Sequence, residues 1–191
     1  MRLVDTITVF CGSNTGNSRK YRDAAVNLGL LLAQRNIQLV YGGASVGLMG
    51  VLANSVLDNG GRVVGVIPDS FEDKEVVHRE LTELHIVQSM HARKALMANL
   101  CQSFIALPGG IGTLEEAFEV VTWTRLGLHA KPLGLLNVAG YYDTLVAFLN
   151  EMASKGFSKN LFDDALFVSS GVTDLVNQLD IYNSKATYET F

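Results

Sequence analysis

The stretch LPGGIGTLEEAFEVVTW, residues 107–123, joins a glycine-rich loop to two adjacent carboxylates. An apolar run ends in Pro-Gly-Gly, and a helix-like pattern begins a few residues later. Loops of this kind hold phosphate groups on the free backbone N–H groups of a helix N-terminus. Glu115 and Glu116 fall where the first turn of that helix is expected, and there they would repel a bound phosphate. The stretch therefore raises the question of why acidic side chains adjoin an anion site.

A second stretch, SMHARKALMANL at residues 89–100, places two cations at the expected start of another helix. Arg93 and Lys94 oppose the helix dipole there, at a cost of about a few tenths of a kcal/mol. Two interpretations are open. The pair is either a set of surface charges or a pair of cations aimed at the anion that the glycine loop holds.

Glycine-rich loops follow three of the predicted strands, in the segments FCGSNTG, YGGASVGLMG and LPGGIGT. Each loop alone could be a tight strand-to-helix turn, because glycine adopts positive φ without strain. Three together favour a crevice for a phosphate or a nucleotide. None matches the dinucleotide fingerprint GxGxxG with an acidic residue some 20 positions on, and none is a GxxxxGK[ST] loop. The motifs therefore support neither an NAD enzyme nor an ATPase.

Short apolar strands alternate with helical patterns along the chain. The strands are predicted at residues 6–10, 37–41, 62–68, 84–88, 103–107, 132–138 and 165–170. The helices are predicted at 18–36, from the second glycine loop to about 59, at 90–102, from the third loop to about 127, at 141–156 and at 173–182. Residues 69–82 are polar and irregular, and the tail after Asn183 is expected to fray.

Strands that are almost continuously Val, Ile and Leu are typical of a parallel sheet covered by helices on both faces. The pattern predicts a single Rossmann-like α/β domain over residues 1–191, with about seven parallel strands flanked by helices. Ligands of such sheets bind at the carboxyl ends of the strands. The three glycine loops are expected to meet at that edge.

Composition narrows the class of protein further. Of 191 residues, 48% are hydrophobic and 18% charged, with a net charge of −4, which indicates a globular domain and argues against a nucleic-acid binder. The aliphatic clusters are too short to cross a membrane, and the N-terminus does not resemble a signal peptide. Cys11 and Cys101 are read as core residues of a cytoplasmic protein. The four histidines have no metal-ligand spacing, so no metal is expected.

Five segments together resemble the LONELY GUY (LOG) family: PGGxGTxxE at Pro108–Glu116, MHxRK at Met90–Lys94, and the shorter CGS, YGGxxxGLMG and GVIP. The resemblance covers residues 6–173. It implies a phosphoribohydrolase that releases the free base and ribose 5-phosphate from cytokinin riboside 5′-monophosphates or AMP, without a cofactor. Similar sequences are often labelled lysine decarboxylase, although nothing in the residues suggests a pyridoxal-phosphate site. The second loop, GGAS, departs from the third glycine of many relatives.

The resemblance also implies roles for individual residues. The family's catalytic arginine and glutamate match Arg93 and Glu116. Its nucleotide contacts match a larger set: Glu75, Lys94, the loop residues Gly110, Ile111, Gly112, Thr113, Leu114 and Glu115, and Thr122. The candidate substrate site is completed by Ser13, Gly43, Met90 and Gly109.

Breaking an N-glycosidic bond gives a reason for carboxylates beside a phosphate site. The sugar becomes cationic in the transition state, so a carboxylate facing C1′ of the ribose stabilises it. Glu116 would position or deprotonate water, and Arg93 would orient the nucleotide through bidentate contacts. Thr113 and the N–H groups of Gly110 and Gly112 would hold the 5′-phosphate.

Two other functions stay open: a general AMP hydrolase without a cytokinin role, and a nucleotide-binding carrier or sensor without turnover. A homodimer with the active site near its interface is also expected. The helices that begin near residues 90 and 114 are apolar on more than one face, at Ala95, Leu96, Met97, Ala98 and Leu100 and at Phe118, Val120, Val121 and Trp123. The alternative is that these helices are central in the monomer.

Overall fold

The computed structural model describes residues 4–71, 76–163 and 165–188, and within them seven strands alternate with six helices. The strands are β1 (Thr6–Phe10), β2 (Gln38–Tyr41), β3 (Val63–Pro68), β4 (Glu83–Val87), β5 (Ser103–Ala106), β6 (Leu133–Leu136) and β7 (Leu166–Ser169). The helices are α1 (Arg19–Gln34), α2 (Gly47–Asp58), α3 (Met90–Asn99), α4 (Ile111–Arg125), α5 (Asp143–Ser154) and α6 (Val172–Tyr188). Short 3₁₀ turns lie at Asp69–Phe71, Val138–Gly140 and Leu161–Asp163.

All strand pairs are parallel, in the order β4-β3-β2-β1-β5-β6-β7. Every residue of β3, β5 and β6 is buried, as a sheet covered on both faces requires. The strand order reverses between β1 and β5. In open α/β sheets this reversal opens the crevice in which ligands bind.

Two apolar layers cover the sheet. One joins Leu28, Leu52 and Leu179 of α1, α2 and α6 to the sheet, and the other joins residues such as Met97, Val120 and Leu149 of α3, α4 and α5. The predicted Rossmann-like architecture is therefore confirmed. Helices α1 and α4, which follow the two strands at the reversal, lie on opposite faces.

The predicted frayed tail is wrong for residues 184–188, because α6 continues to Tyr188. Asn183 Nδ2 donates to Ser103 Oγ at 2.8 Å and to the backbone oxygen of Leu179 at 2.8 Å. These bonds tie the helix to the first residue of β5. A helix that is already formed adds further residues at little cost, so the anchor supports the polar turn beyond it.

The polar segment after β3 is partly ordered by the second glycine loop. Ser45 N donates to Val76 O at 2.7 Å, and His78 N donates to Gly43 O at 2.9 Å. An isolated antiparallel bridge joins Ala44 to Val77. The buried His78 ring, 2.8 Å from Asn54 Oδ1 through Nε2, is thus a structural histidine.

Candidate active site

The three glycine loops meet at the carboxyl edge of the sheet, as predicted. Gly12 N donates to Pro108 O at 3.2 Å, which joins the loop after β1 to the loop after β5. Leu48 N donates to Gly12 O at 3.0 Å, which joins the first loop to the second. Gly47 is required at this contact because it has φ of +61° and a Cβ atom there would lie 2.2 Å from the carbonyl carbon of Ser13.

Arg93 and Glu116 form an ion pair at this edge, with Nη1 2.6 Å from Oε1. Their side chains are only 12% and 11% exposed. Arg93 Nε also donates to the backbone oxygen of Val66 at 3.1 Å, and Nη1 lies 3.4 Å from Met90 Sδ. The guanidinium is therefore held on several sides, and one of its nitrogens, Nη1, contacts the carboxylate.

Two local features of the chain deliver Arg93 to this position. The Ser89 hydroxyl accepts from Ala92 N at 3.1 Å and so caps α3, which fixes the turn that carries Arg93. Gly42, at the end of β2, leaves room for the guanidinium. A Cβ atom on Gly42 would lie 2.2 Å from Arg93 Nη2.

Replacing Gly42 with alanine is therefore expected to push the guanidinium away from Glu116. We expect Gly42→Ala to lower kcat/KM about tenfold, because the displaced guanidinium would stabilise the transition state less well. A tenfold change corresponds to about 1.4 kcal/mol. Steady-state kinetics and a thermal melt measure the effect. The matched control is Gly171→Ala, outside the site, where an added Cβ atom would meet Asp174 Cβ at an ordinary 3.7 Å, so kinetics and melting temperature should both be unchanged. Unchanged kinetics in Gly42→Ala would contradict the arrangement.

Burial controls the electrostatics of this pair. Burial raises the pKa of Glu116 above its ordinary value, while the charge and the hydrogen bond of Arg93 lower it, and burial prevails. Cys11 lies beneath the pair, where burial and the charge of Glu116 raise the pKa of its thiol. Cys11 therefore stays a neutral thiol and is not poised as a nucleophile.

Lys94 points to a different partner from Arg93. Its buried Nζ lies 2.5 Å from Glu115 Oε1 and 3.1 Å from Glu119 Oε2. Burial alone would lower the pKa of Lys94, but the hydrogen bonds to the two glutamates outweigh it and raise the pKa. The two cations that were expected to act together thus have different partners. Arg93 pairs with Glu116, and Lys94 pairs with Glu115 and Glu119. Sequence reasoning missed Glu119, although its i, i+4 spacing from Glu115 places both on one face of α4.

The start of α4 is open. Its N-cap, Gly110, has no side chain to occupy the free N–H groups of the first turn. Apart from the adjoining chain and the helix backbone, no atom of the described residues lies within 4 Å of a Cβ position on Gly110 or Gly112. Thr113 is buried instead, and its hydroxyl packs so closely on Gly109 that a Cβ there would lie 2.1 Å away.

The carboxylates do not lie in the first helical turn, which corrects the sequence-based expectation. Because α4 begins at Ile111, Glu115 and Glu116 belong to its second turn. Glu116 is therefore about 7.5 Å further along the helix axis than Ile111. An anion on the free N–H groups and the carboxylate beside it occupy successive turns, so the repulsion that the sequence suggested is reduced.

Two cavities share Ser13 at this edge. The first, of about 300 Å³, is lined by the loop Gly12–Gly16, by Pro108–Gly110 and by Tyr21, Leu48 and Tyr141. The second, of about 230 Å³, is largely apolar and has Arg93 in its wall, together with Gly42, Ala44, Val46, Met49, Ile67, Pro68, Phe71, Val76 and Met90. Arg93 of the ion pair thus lines the apolar cavity, whereas the glycine loop after β5 lines the other cavity.

The remaining predicted site residues differ in burial and in distance from the ion pair. Gly43, with φ of +75°, is buried between two residues that line the second cavity and accepts a backbone hydrogen bond from His78. Thr122 lies about 9 Å beyond Glu116 along α4, and its hydroxyl donates to Phe118 O at 2.7 Å. Leu114 is half-buried against the core, and Ile111 is 85% exposed. Glu75 lies outside the described residues.

Among residues 4–71, 76–163 and 165–188, no group of three or more histidine, cysteine, aspartate or glutamate side chains is placed to hold a metal ion. Within the same ranges, no helix is both long and apolar enough to cross a bilayer.

Comparison with known sequences places the chain beside one set of enzymes. A family model described as "Possible lysine decarboxylase" matches residues 49–179. The cytokinin riboside 5′-monophosphate phosphoribohydrolase of Rhodococcoides fascians is 56% identical over 153 residues, which are 80% of this chain and 77% of that protein. LOG1 of Arabidopsis thaliana, with the same enzyme name, is 47% identical over 176 residues, 92% of this chain and 83% of that protein.

Solved structures of more distant proteins share the fold. The molybdenum cofactor carrier protein of Chlamydomonas reinhardtii superposes with a TM-score of 0.69 at 19% identity, over 94% of this chain and 98% of that one. The molybdenum cofactor binding protein of Rippkaea orientalis superposes with a TM-score of 0.67 at 20% identity, over 91% and 93% of the two chains. At these identities the likeness concerns architecture alone.

Proposed function

Because the chain belongs to the LOG family of phosphoribohydrolases, we propose that it hydrolyses the N-glycosidic bond of cytokinin riboside 5′-monophosphates. The products are the free base and ribose 5-phosphate. The observation that carries this proposal is the buried Arg93–Glu116 pair, set between an uncapped helix N-terminus and an apolar cavity. The helix N-terminus suits the phosphate, the ion pair suits the ribose, and the apolar cavity suits the base.

The reaction assigns one task to each part. The N–H groups at the start of α4 bind the 5′-phosphate. Glu116 faces C1′, takes a proton from the attacking water and stabilises the positive charge that develops on the ribose. The bond from C1′ to the base nitrogen breaks, the electron pair leaves with the base, and the water oxygen forms the new bond to C1′. The base then takes up a proton, so charge and atoms balance.

Arg93 keeps the carboxylate ready for this step. Burial favours the neutral acid form of Glu116, whereas the guanidinium at 2.6 Å favours the carboxylate. A base needs the ionised form with a pKa not far below the working pH. The ion pair thus supports a role for Glu116 as a general base.

The surroundings of Lys94 argue against a lysine decarboxylase, the activity that the description of the family model suggests. A lysine that forms a Schiff base with a cofactor must lose its proton easily. Lys94, next to Arg93, instead has its pKa raised by Glu115 and Glu119. The names of the curated relatives and this pairing both favour the hydrolase.

The apolar cavity favours a base with an apolar N6 substituent over AMP. Its wall contains Val46, Met49, Ile67 and Met90, which match an alkenyl side chain better than the bare amino group of adenine. The test is to incubate the protein with AMP and with isopentenyladenosine monophosphate, and to assay free base and ribose 5-phosphate. Higher kcat/KM with the isopentenyl compound supports the proposal. Preference for AMP favours the general hydrolase, and binding without product favours the carrier.

We also propose that the protein is a cytoplasmic homodimer that pairs through α4, the helix that carries Glu116. Of the residues expected to form a second apolar face, Met97, Ala98 and Val120 are buried within the monomer, so that face is narrower than predicted. Phe118, however, is 36% exposed on α4, and Leu126 is 68% exposed directly after the helix ends. The buried, unpaired cysteines are in keeping with a reducing compartment.

Replacing Phe118 with aspartate tests the dimer. If Phe118 is buried by a partner, Phe118→Asp is expected to raise the dimer dissociation constant at least about thirtyfold, the effect of losing about 2 kcal/mol at an interface hot spot. Sedimentation at micromolar protein measures the change. The matched control is Phe148→Asp on α5, since Phe148 is 60% exposed on another helix. A Phe118→Asp protein that stays as dimeric as the control contradicts this interface, and a fully active wild-type monomer contradicts the dimer.

A further inference from the structure

Three successive backbone carbonyls before α4 are each occupied by a hydrogen bond. The hydroxyl of Tyr142 donates to Leu107 O at 2.6 Å, and the hydroxyl of Tyr141 donates to Gly109 O at 2.5 Å. The carbonyl between them, that of Pro108, accepts from Gly12 N at 3.2 Å. Two consecutive tyrosines, more than 30 residues away in sequence, thus hold the glycine loop from one side.

The turn that carries the tyrosines is unusual in its backbone. Ala139 has φ of +53° and Gly140 has φ of +74°, so two consecutive residues are left-handed and one of them bears a side chain. Asn137 fixes the turn, because its Nδ2 donates to Asp143 Oδ1 and its Oδ1 accepts from Tyr142 N, both at 2.7 Å. A non-glycine residue in this conformation persists only where the surroundings hold it.

The bond to Gly109 O matters because of peptide geometry. The carbonyl of Gly109 and the N–H of Gly110 belong to the same planar peptide group and point in opposite directions. Fixing the oxygen therefore fixes the direction of the N–H group. Between two glycines this peptide could otherwise rotate readily and turn a carbonyl oxygen toward a bound anion.

Two aromatic contacts hold the ring of Tyr141 in place. It packs edge-on against Tyr21, with centroids 5.8 Å apart, and edge-on against Tyr142, with centroids 5.0 Å apart. Tyr142 is buried, whereas Tyr141 is 43% exposed and lines the first cavity. Removing the Tyr141 hydroxyl is therefore the cleaner test, because the ring and its neighbours can stay in place.

We propose that Tyr141 is a positioning residue for the anion site: its hydroxyl holds the Gly109–Gly110 peptide so that the N–H group of Gly110 faces the 5′-phosphate. Tyr142 supports the same loop two peptides earlier, at the carbonyl of Leu107. This inference rests on the proposed function, in which the start of α4 binds the phosphate. Because the phosphate is bound alike in the ground state and in the transition state, the effect falls on KM and leaves kcat almost unchanged.

The test is Tyr141→Phe, with Tyr182→Phe as the matched control. Tyr182 of α6 packs against Phe167 of β7, away from the glycine loops. Tyr141→Phe is expected to raise KM for the nucleotide about threefold to tenfold, the range for losing one neutral hydrogen bond, with kcat within about twofold. Affinity for AMP measured by calorimetry should fall by the same factor. Affinity for adenosine, which lacks the phosphate, should not change.

The two affinities separate positioning from general damage. Unchanged AMP affinity in Tyr141→Phe overturns the proposal, and so does an equal loss of affinity for AMP and adenosine. Tyr142→Phe is expected to show a smaller loss in the same direction; if this buried variant does not fold, Tyr141→Phe alone decides. If the wild-type protein binds AMP without hydrolysing any nucleotide, the proposed function fails, while the ratio of affinities still tests the role of Tyr141.

Discussion

Replacing Glu116 with glutamine is expected to lower kcat for isopentenyladenosine monophosphate at least about a hundredfold, the usual scale of general base catalysis. Glutamine has the size of glutamate, and its amide oxygen can still accept from Arg93 Nη1. It cannot take a proton from water or stabilise a cationic ribose. Affinity for AMP, measured by calorimetry, should therefore stay within a few-fold of wild type. A variant with near-normal turnover would remove Glu116 from the mechanism.

The pH profile provides the control for this prediction. Burial raises the pKa of Glu116 above its ordinary value despite the opposing effect of Arg93. Because the base must be ionised, kcat/KM of the wild type should rise with pH through that raised pKa and then level off. The residual activity of Glu116→Gln should lack this rise. The same rise in both proteins would show that another group controls it.

Replacing Arg93 with lysine is expected to lower kcat/KM about a hundredfold, although the positive charge is retained. The guanidinium donates to Val66 O through Nε and to Glu116 through Nη1, and one ammonium group cannot reproduce this fork. A buried carboxylate that loses part of its pairing becomes harder to ionise. The rise in the pH profile should therefore move to higher pH in Arg93→Lys.

Arg19→Lys is the matched control for that variant. The Arg19 side chain is 89% exposed and pairs with Asp23 on the surface of α1, so its replacement should leave the kinetics unchanged. If Arg93→Lys is as active as Arg19→Lys, Arg93 acts merely as a point charge. If its pH profile does not move, the proposed control of Glu116 by Arg93 is wrong.

Local patterns were enough to predict the strands, the helices and the edge at which the glycine loops meet. Apolar runs such as VVGVIP are typical of a parallel sheet covered on both faces, and parallel strands bring their following loops to one side. The motif resemblance picked out Arg93 and Glu116, which the fold then brings within 2.6 Å of each other. Their catalytic roles remain predictions until the variants are measured.

Contacts between distant elements could not be predicted in this way. The pairing of Lys94 with Glu115 and Glu119 depends on how α3 packs against α4, which helix periodicity does not specify. The bond from Tyr141 to Gly109 spans 32 residues and depends on a left-handed turn at Ala139. A non-glycine residue rarely adopts that conformation, so no turn signal marked it in the sequence. The end of α6 was missed because its anchor, Asn183, is held by Ser103 of a different element.

The direction of α6 determines how the protein can be attached to a solid support. Asn183 contacts the first residue of β5, so this end of the helix lies at the edge of the sheet opposite the glycine loops. Cys11 and Cys101 are both buried, which leaves an exposed thiol introduced by Lys185→Cys as the preferred site for maleimide coupling. Protein immobilised through that thiol would present both cavities to the bulk solution, so dissolved nucleotide could reach them without passing the matrix.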